Sequence, residues 1–288
     1  MTSHLPVVDC HVHVFLPECF SFSARRSYTP GPATTADLVA HLDRIGAHRV
    51  LVVQPSPYGT DNRATLAAIA KLGLDRARGV AVVDPRQVTS DDIRTLRAQG
   101  VVACRANLKT RGTTDIEDCA AYLRALDSVL LGTDMAIEIY LPLPTLLRLR
   151  PVLAATPRVF ILDHFAGLDT TSANLDAEID ALCDLLSLPN VILKASGACR
   201  ATGYSATNDP LDPIAPLLFR AAPGRVIWGS DWPHTGRSAE RAFRPLSEVE
   251  PFMSIDDMRA LADLQRWAGS SEHAQAILAE TPAQLFGF

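Results

Sequence analysis

Short apolar runs rich in β-branched residues recur along the whole chain, at Val7–Val14, Arg49–Gln54, Gly79–Val83, Gly100–Asn107, Met135–Tyr140, Arg158–Asp163, Asn190–Ala195 and Arg225–Gly229. Their length and composition predict strands. Between most of them apolar residues fall three and four apart, as in Thr35–Ile45, Asn62–Leu72, Ser90–Ala98, Ile116–Leu130, Thr145–Ala154, Asn174–Leu186 and Asp212–Arg220. That period predicts helices with one buried face. Strand and helix in alternation imply a parallel sheet, and eight such units favour an α/β fold of the closed (β/α)8 TIM-barrel type, as one domain over residues 1–288. A doubly wound sheet alternates in the same way, but the glycine fingerprint of a dinucleotide site is absent after the first strand. The tail from Ser254 to Phe288 reads as helices covering the barrel's outside. The Pro- and Ser-rich stretch Phe15–Thr34 reads as a loop over the barrel mouth.

Composition narrows the class of partner. The 288 residues are 48% hydrophobic and 20% charged, with a net charge of -5, which leaves no basic stripe for a nucleic acid and no polybasic membrane segment. A small-molecule substrate is expected. The N-terminus lacks a charged region followed by an apolar one, and no stretch is long and apolar enough to span a bilayer, so the expected location is the cytoplasm. Cys10, Cys19, Cys104, Cys119, Cys183 and Cys199 show no Cys-x-x-Cys spacing and read as free thiols.

The polar residues at the strand ends carry the candidate chemistry. In Asp9-Cys10-His11-Val12-His13 the two imidazoles are two residues apart and share one face of a strand. The later strands end at or near Ser56, Arg105, Tyr140, His164, Lys194 with Arg200, and Asp231. In a barrel those ends converge on one mouth. Lys194 reads as an ion-paired strand lysine, and Tyr140 as either a packed core tyrosine or a ligand contact. An ionised Asp can activate water, histidines can serve a developing oxyanion when protonated or metal-bound, and arginine forks grip carboxylates.

The segments around His11, Leu162-Asp163-His164, Lys194-Ala195-Ser196-Gly197 and Trp228-Gly229-Ser230-Asp231-Trp232-Pro233-His234 together resemble the amidohydrolase superfamily, and within it the 2-pyrone-4,6-dicarboxylate lactonase-like branch. That resemblance implies a distorted (β/α)8 barrel and a hydrolase that opens the ester of a small carboxylated lactone. It implies Asp231 as general base, with His11, His13 and His164 polarising the carbonyl. Arg105, Arg111 and Arg200 match carboxylate contacts, and Tyr28, Ser56 and Tyr140 match pocket residues. Many superfamily members hold a divalent metal, whereas the lactonase branch is similar in its residues without requiring one. No cofactor is therefore expected, the alternative being a single Zn²⁺ or Mn²⁺ on His11, His13, His164 and Asp231. A lactone isomerase, a metal-dependent decarboxylase and a non-catalytic small-acid binder are the other readings. The chain departs from the pattern at Gly167, where the dicarboxylate lactonase has an arginine.

Overall fold

The structure is a computed structural model and describes residues 7–113, 115–205, 207–236, 241 and 243–288, with the side chain of Arg111 outside the description. Its centre is eight strands: β1 (Val8–Val12), β2 (Arg49–Val53), β3 (Ala77–Ala81), β4 (Val101–Asn107), β5 (Ala136–Tyr140), β6 (Phe160–Leu162), β7 (Val191–Ser196) and β8 (Val226–Gly229). All are parallel and paired in sequence order. The seam between β8 and β1 is joined just past the strand ends, where Asp231 N donates to His11 O and His13 N to Trp232 O, each across 2.8 Å. With helices between the strands this is a nearly closed (β/α)8 barrel, as the alternation predicts.

Two apolar layers hold it. Inside the barrel Val8, Cys10, Leu51, Val80, Ala103, Ala136, Ile161, Ile192 and Ile227 pack together. The strands' other faces meet the helices through residues such as Val50, Val52, Cys104, Ile137, Leu162, Leu193 and Trp228. Full burial of each large side chain contributes roughly 1.5–3 kcal/mol. Local signals agree with these boundaries. Thr34 with Asp37, and Thr89 with Asp92, form capping boxes that satisfy the first amides of Thr35–Ile45 and Ser90–Ala98.

Three segments differ in detail from the periodicity. Thr145–Ala154 is two short helices, Leu143–Arg148 and Arg150–Ala154, because Pro151 supplies no amide to continue one into the other. The tail forms Asp257–Ala268, Ser271–Gln275 and Thr281–Phe286, but its end does not stay outside: Phe286 enters the interior cluster and plugs the barrel floor. In the loop after β1, Thr29–Pro30 pairs in parallel with Val249–Glu250, so the segments following the first and last strands are tied together. No helix among the described residues is long and apolar enough to cross a membrane.

Candidate active site

Strict alternation along β1 places Val8 and Cys10 inside the barrel and His11 outside. The pairing register with β2 instead shifts between Asp9 and Val12, a bulge that turns His11 and His13 inward as well. Gly229 on the neighbouring strand makes the space, since a Cβ there would lie 2.6 Å from both His11 N and His11 Cβ.

Beneath the mouth the interior becomes ionic. Arg105, Glu138, Asp163 and Lys194, from four adjacent strands or their ends, are all buried around His11. Arg105 Nη2 donates to Asp163 Oδ2 at 2.8 Å, and its Nε lies 3.3 Å from Glu138 Oε1. Lys194 Nζ contacts Glu138 and lies 3.2 Å from Asp163 Oδ1. His11 Nδ1 sits 3.3 Å from that ammonium and 3.4 Å from Asp163 Oδ1. Buried charge is tolerable only when paired in this way. Burial, reinforced by Asp163, raises the Glu138 carboxyl to about 7 against the pull of Lys194 and Arg105. Burial acts in the same direction on Asp163, but Lys194, His11 and Arg105 outweigh it and hold that carboxyl well below its ordinary range.

His164 arrives by a different device. It begins a run of left-handed residues, His164, Phe165, Ala166 and Gly167, with φ of 54°, 52°, 59° and 72°. Each non-glycine residue in that conformation costs roughly 1–2 kcal/mol, so the turn persists because Phe165 and Ala166 are buried in the core. The turn brings His164 Nδ1 to 3.0 Å from Ser196 Oγ and its ring to 4.7 Å from that of His11. Gly197 is needed beside it, because a Cβ would lie 2.9 Å from His164 Nδ1 and 3.1 Å from Asp231 Oδ2.

Asp231 follows β8 with φ of 69°. Its Oδ2 accepts from Arg200 Nε at 2.6 Å, while Oδ1 lies 3.7 Å from His11 Nε2 and 3.8 Å from His13 Nε2. Neither Asp231 Oδ1 nor His11 Nε2 has a hydrogen-bond partner. The tautomer of His13 follows from its other nitrogen, which is 2.8 Å from the Val53 carbonyl and must donate to it. Burial pulls His11 and His13 down to about 3 and His164 well below its usual value, so all three rings are neutral near pH 7. Burial pushes Asp231 up, but the Arg200 guanidinium outweighs it and holds the carboxyl well below its ordinary range. His13 Nε2, His11 Nε2 and Asp231 Oδ1 thus face a common point that suits a water molecule or a cation.

The other candidate residues fall at various distances from that point. Arg200 also donates to the Tyr204 hydroxyl and to Thr235. Tyr28 is buried beside Thr235 and Ser56, whose side chains bear on its hydroxyl, and Thr235 in turn accepts from Arg200, so these pocket residues lie next to the Arg200–Asp231 pair. The Tyr140 ring packs 4.8 Å from His164 and beneath Lys109 Nζ at 4.9 Å. Arg105 is turned to its carboxylates, 6.0 Å from the Tyr140 ring. Arg111 ends the short helix Leu108–Arg111, and its side chain lies outside the described residues. Glu138 and Asp163 are the site's neighbours that strand-end reasoning passes over. Their signal is a carboxylate at an inward position of an apolar run, whereas Arg105 is selected by its place at a strand end.

Among the described residues two groups of side chains have the donors for a metal ion: His11, His164 and Asp231, and His11, Glu138 and Asp163. The second already carries the Lys194 ammonium. The first, joined by His13, holds no competing ammonium, leaves Asp231 Oδ1 without a hydrogen-bond partner, and fits a single divalent ion.

A family model described as amidohydrolase matches residues 8–288. The chain is 30% identical over 281 residues to a 4-sulfomuconolactone hydrolase of Rhizobium radiobacter, covering 97% of this chain and 89% of that protein. It is 30% identical over 295 residues to a 2-pyrone-4,6-dicarboxylate hydrolase of Comamonas testosteroni, again covering 97% and 89%. The crystal structure of a probable 2-pyrone-4,6-dicarboxylic acid hydrolase of Acinetobacter baumannii with citric acid bound superposes with a TM-score of 0.79 at 28% identity, over 99% of this chain and 100% of that one.

Proposed function

The chain belongs to the amidohydrolase family of enzymes, and on that premise we propose that it hydrolyses the ring ester of a small carboxylated lactone. The observation that carries the reading is the shared focus of Asp231 Oδ1, His11 Nε2 and His13 Nε2 beside Arg200. A water at that point donates one proton to His13 Nε2 and the other to the ionised Asp231 carboxylate, which removes it, while His11, whose Nδ1 accepts from Lys194, presents its Nε2 proton to the water oxygen. In this reading His11 and His13 hold the water instead of polarising the carbonyl. His164 is placed to serve the oxyanion: with Ser196 donating to its Nδ1, its own proton resides on Nε2. Water oxygen bonds to the carbonyl carbon, its proton passes to Asp231, the ring C–O bond breaks, and the departing oxygen receives that proton. The product is a hydroxy acid or its keto tautomer. The lactone substrates named for the R. radiobacter and C. testosteroni relatives, together with Arg200 and Lys109 near the mouth, support an anionic substrate.

We take the reaction to require no metal, because Arg200 already supplies Asp231 with a positive neighbour. Were a divalent ion to bind, His11, His13, His164 and Asp231 would hold it, and it would supply Lewis-acid activation of water. The test is turnover of a panel of carboxylated lactones, 2-pyrone-4,6-dicarboxylate among them, by chelator-treated enzyme with and without added Zn²⁺ or Mn²⁺, with products identified. Ring opening that survives chelation is expected. Activity only with metal would reassign the four residues as ligands, and an isomeric lactone as product would make the enzyme an isomerase.

A further inference from the structure

Outside the β1–β8 seam, a second set of buried polar side chains takes no part in the chemistry above. Asp9 faces away from the barrel interior. Its Oδ1 accepts from the backbone amides of His11 and Ser230, at 3.2 and 2.9 Å. Its Oδ2 lies 3.3 Å from His41 Nε2. Arg44 Nη2 donates to His41 Nδ1 at 3.1 Å, which leaves His41 Nε2 as the donor to Asp9, and also to Asp257 Oδ2 at 3.2 Å. The same Asp257 oxygen accepts from His234 Nε2 at 3.1 Å. Asp9, His41, Asp257 and His234 are all buried, and the His41 ring stacks on Trp232 with centroids 5.6 Å apart.

The course of this chain of contacts is informative. It grips Ser230 at one end and His234 at the other, and Asp231 lies between them. Both Asp231 and His234 have positive φ, 69° and 65°, and His234 N donates to Asp231 O at 2.9 Å. A non-glycine backbone in this region reverts unless its surroundings hold it. Asp257 concentrates three contacts on Oδ2 and leaves its buried Oδ1 without a hydrogen-bond partner. A buried carboxylate so incompletely satisfied costs stability, which suits a residue retained for what it holds in place.

We propose that Asp257 is a positioning residue for Asp231, acting through His234 and, by way of Arg44 and His41, through Asp9. The chain of contacts ties the base-bearing segment to the strand that carries His11 and His13, so the shared focus of Asp231, His11 and His13 depends on it. This rests on the reading of Asp231 as the group that activates water.

Asp257→Asn removes the charge at nearly constant volume, and His234→Leu removes the donor. For the folded variants we expect kcat to fall by about 10- to 100-fold, the scale of a misplacement near 1 Å, with KM for a carboxylated lactone changed less than about threefold, as expected when ground-state binding is preserved. The double variant should be no slower than the slower single one, because both break one link. His234→Gln, which keeps a donor, should recover most of the rate. Wild-type kcat in Asp257→Asn, or losses that multiply in the double variant, would overturn the proposal. If the unmodified enzyme opens no lactone in the panel, the functional reading fails separately. The positioning claim is then read from the crystal structure of His234→Leu, where Asp231 should have left its place facing His11 and His13. An unmoved Asp231 would refute the claim.

Discussion

Arg200 Nε donates to one oxygen of Asp231 across 2.6 Å, and the other oxygen is turned to the two histidines of β1. One carboxylate is divided between a cation that keeps it charged and a point where charge can be used. Oδ2 fixes the side chain while Oδ1 keeps a free lone pair, an arrangement that separates orientation from proton acceptance.

Replacement of Asp231 by Asn should therefore remove catalysis and little else. A general base contributes roughly 10²–10⁴-fold, and a drop of at least about 10²-fold in kcat is expected. Arg200, released from its partner, should bind the ring-opened product at least as well as before. Turnover near the unmodified rate would remove Asp231 from the mechanism.

Arg105 and Arg200 should respond differently to loss of charge. Arg105→Met strands Asp163 and Glu138 with Lys194 as their remaining close cation, and breaking a buried pair costs about 3–5 kcal/mol. A lowered urea midpoint is the expected outcome. Unchanged stability with a raised KM for carboxylated substrates alone would instead make Arg105 a direct substrate anchor. Arg200→Met should affect turnover and carboxylate binding more than stability.

Gly229→Ala tests how tightly His11 is seated. The added methyl would press on His11 N and Cβ at 2.6 Å, and overpacking of this kind costs about 1–3 kcal/mol. Stability and kcat should fall together. A variant with unmodified kcat would mean that His11 can shift without consequence.

Stability should decline in mild acid. His11 and His13 are pulled down to about 3 by burial, and His164 lies well below its ordinary value. Below about pH 6.5 the unfolded chain takes up protons that the native rings refuse, so each such histidine removes up to about 1.4 kcal/mol per pH unit until its folded pKa is reached. The window runs from about pH 6.5 towards 3, and stability from these rings is complete above it. Urea titrations across that range should show the slope. His13→Asn, which can still donate to Val53 O but does not titrate, should lessen it. A flat profile would show that the histidines are protonated in the native state.

Much of the barrel was legible in the chain because βα alternation is a low-resolution property. Apolar runs and turn residues placed all eight strands to within a few residues, and the polar residues at their ends include His11, His13, His164, Asp231 and Arg200. Non-local features were less visible. The bulge before His11 leaves no mark in Asp-Cys-His-Val-His, since it exists only as a register against β2. The left-handed turn at His164 opposes the local preferences of His, Phe and Ala, and is imposed by packing. Phe286 looks like one more apolar position of an outer helix until the barrel floor is there to receive it. Glu138 and Asp163 could have been found, being carboxylates set inward in apolar strands, but their meaning depends on Lys194 and Arg105 arriving from other strands.

Gly167, where the sequence departs from the dicarboxylate lactonase pattern, closes the left-handed turn with φ of 72°, and a Cβ there would collide with the Leu141 carbonyl oxygen. No single codon change can therefore install a long cationic side chain at this place without re-threading the main chain around it. Electrostatic character on this side of the mouth is written into the backbone path, and placing an arginine here would have to begin with an altered loop.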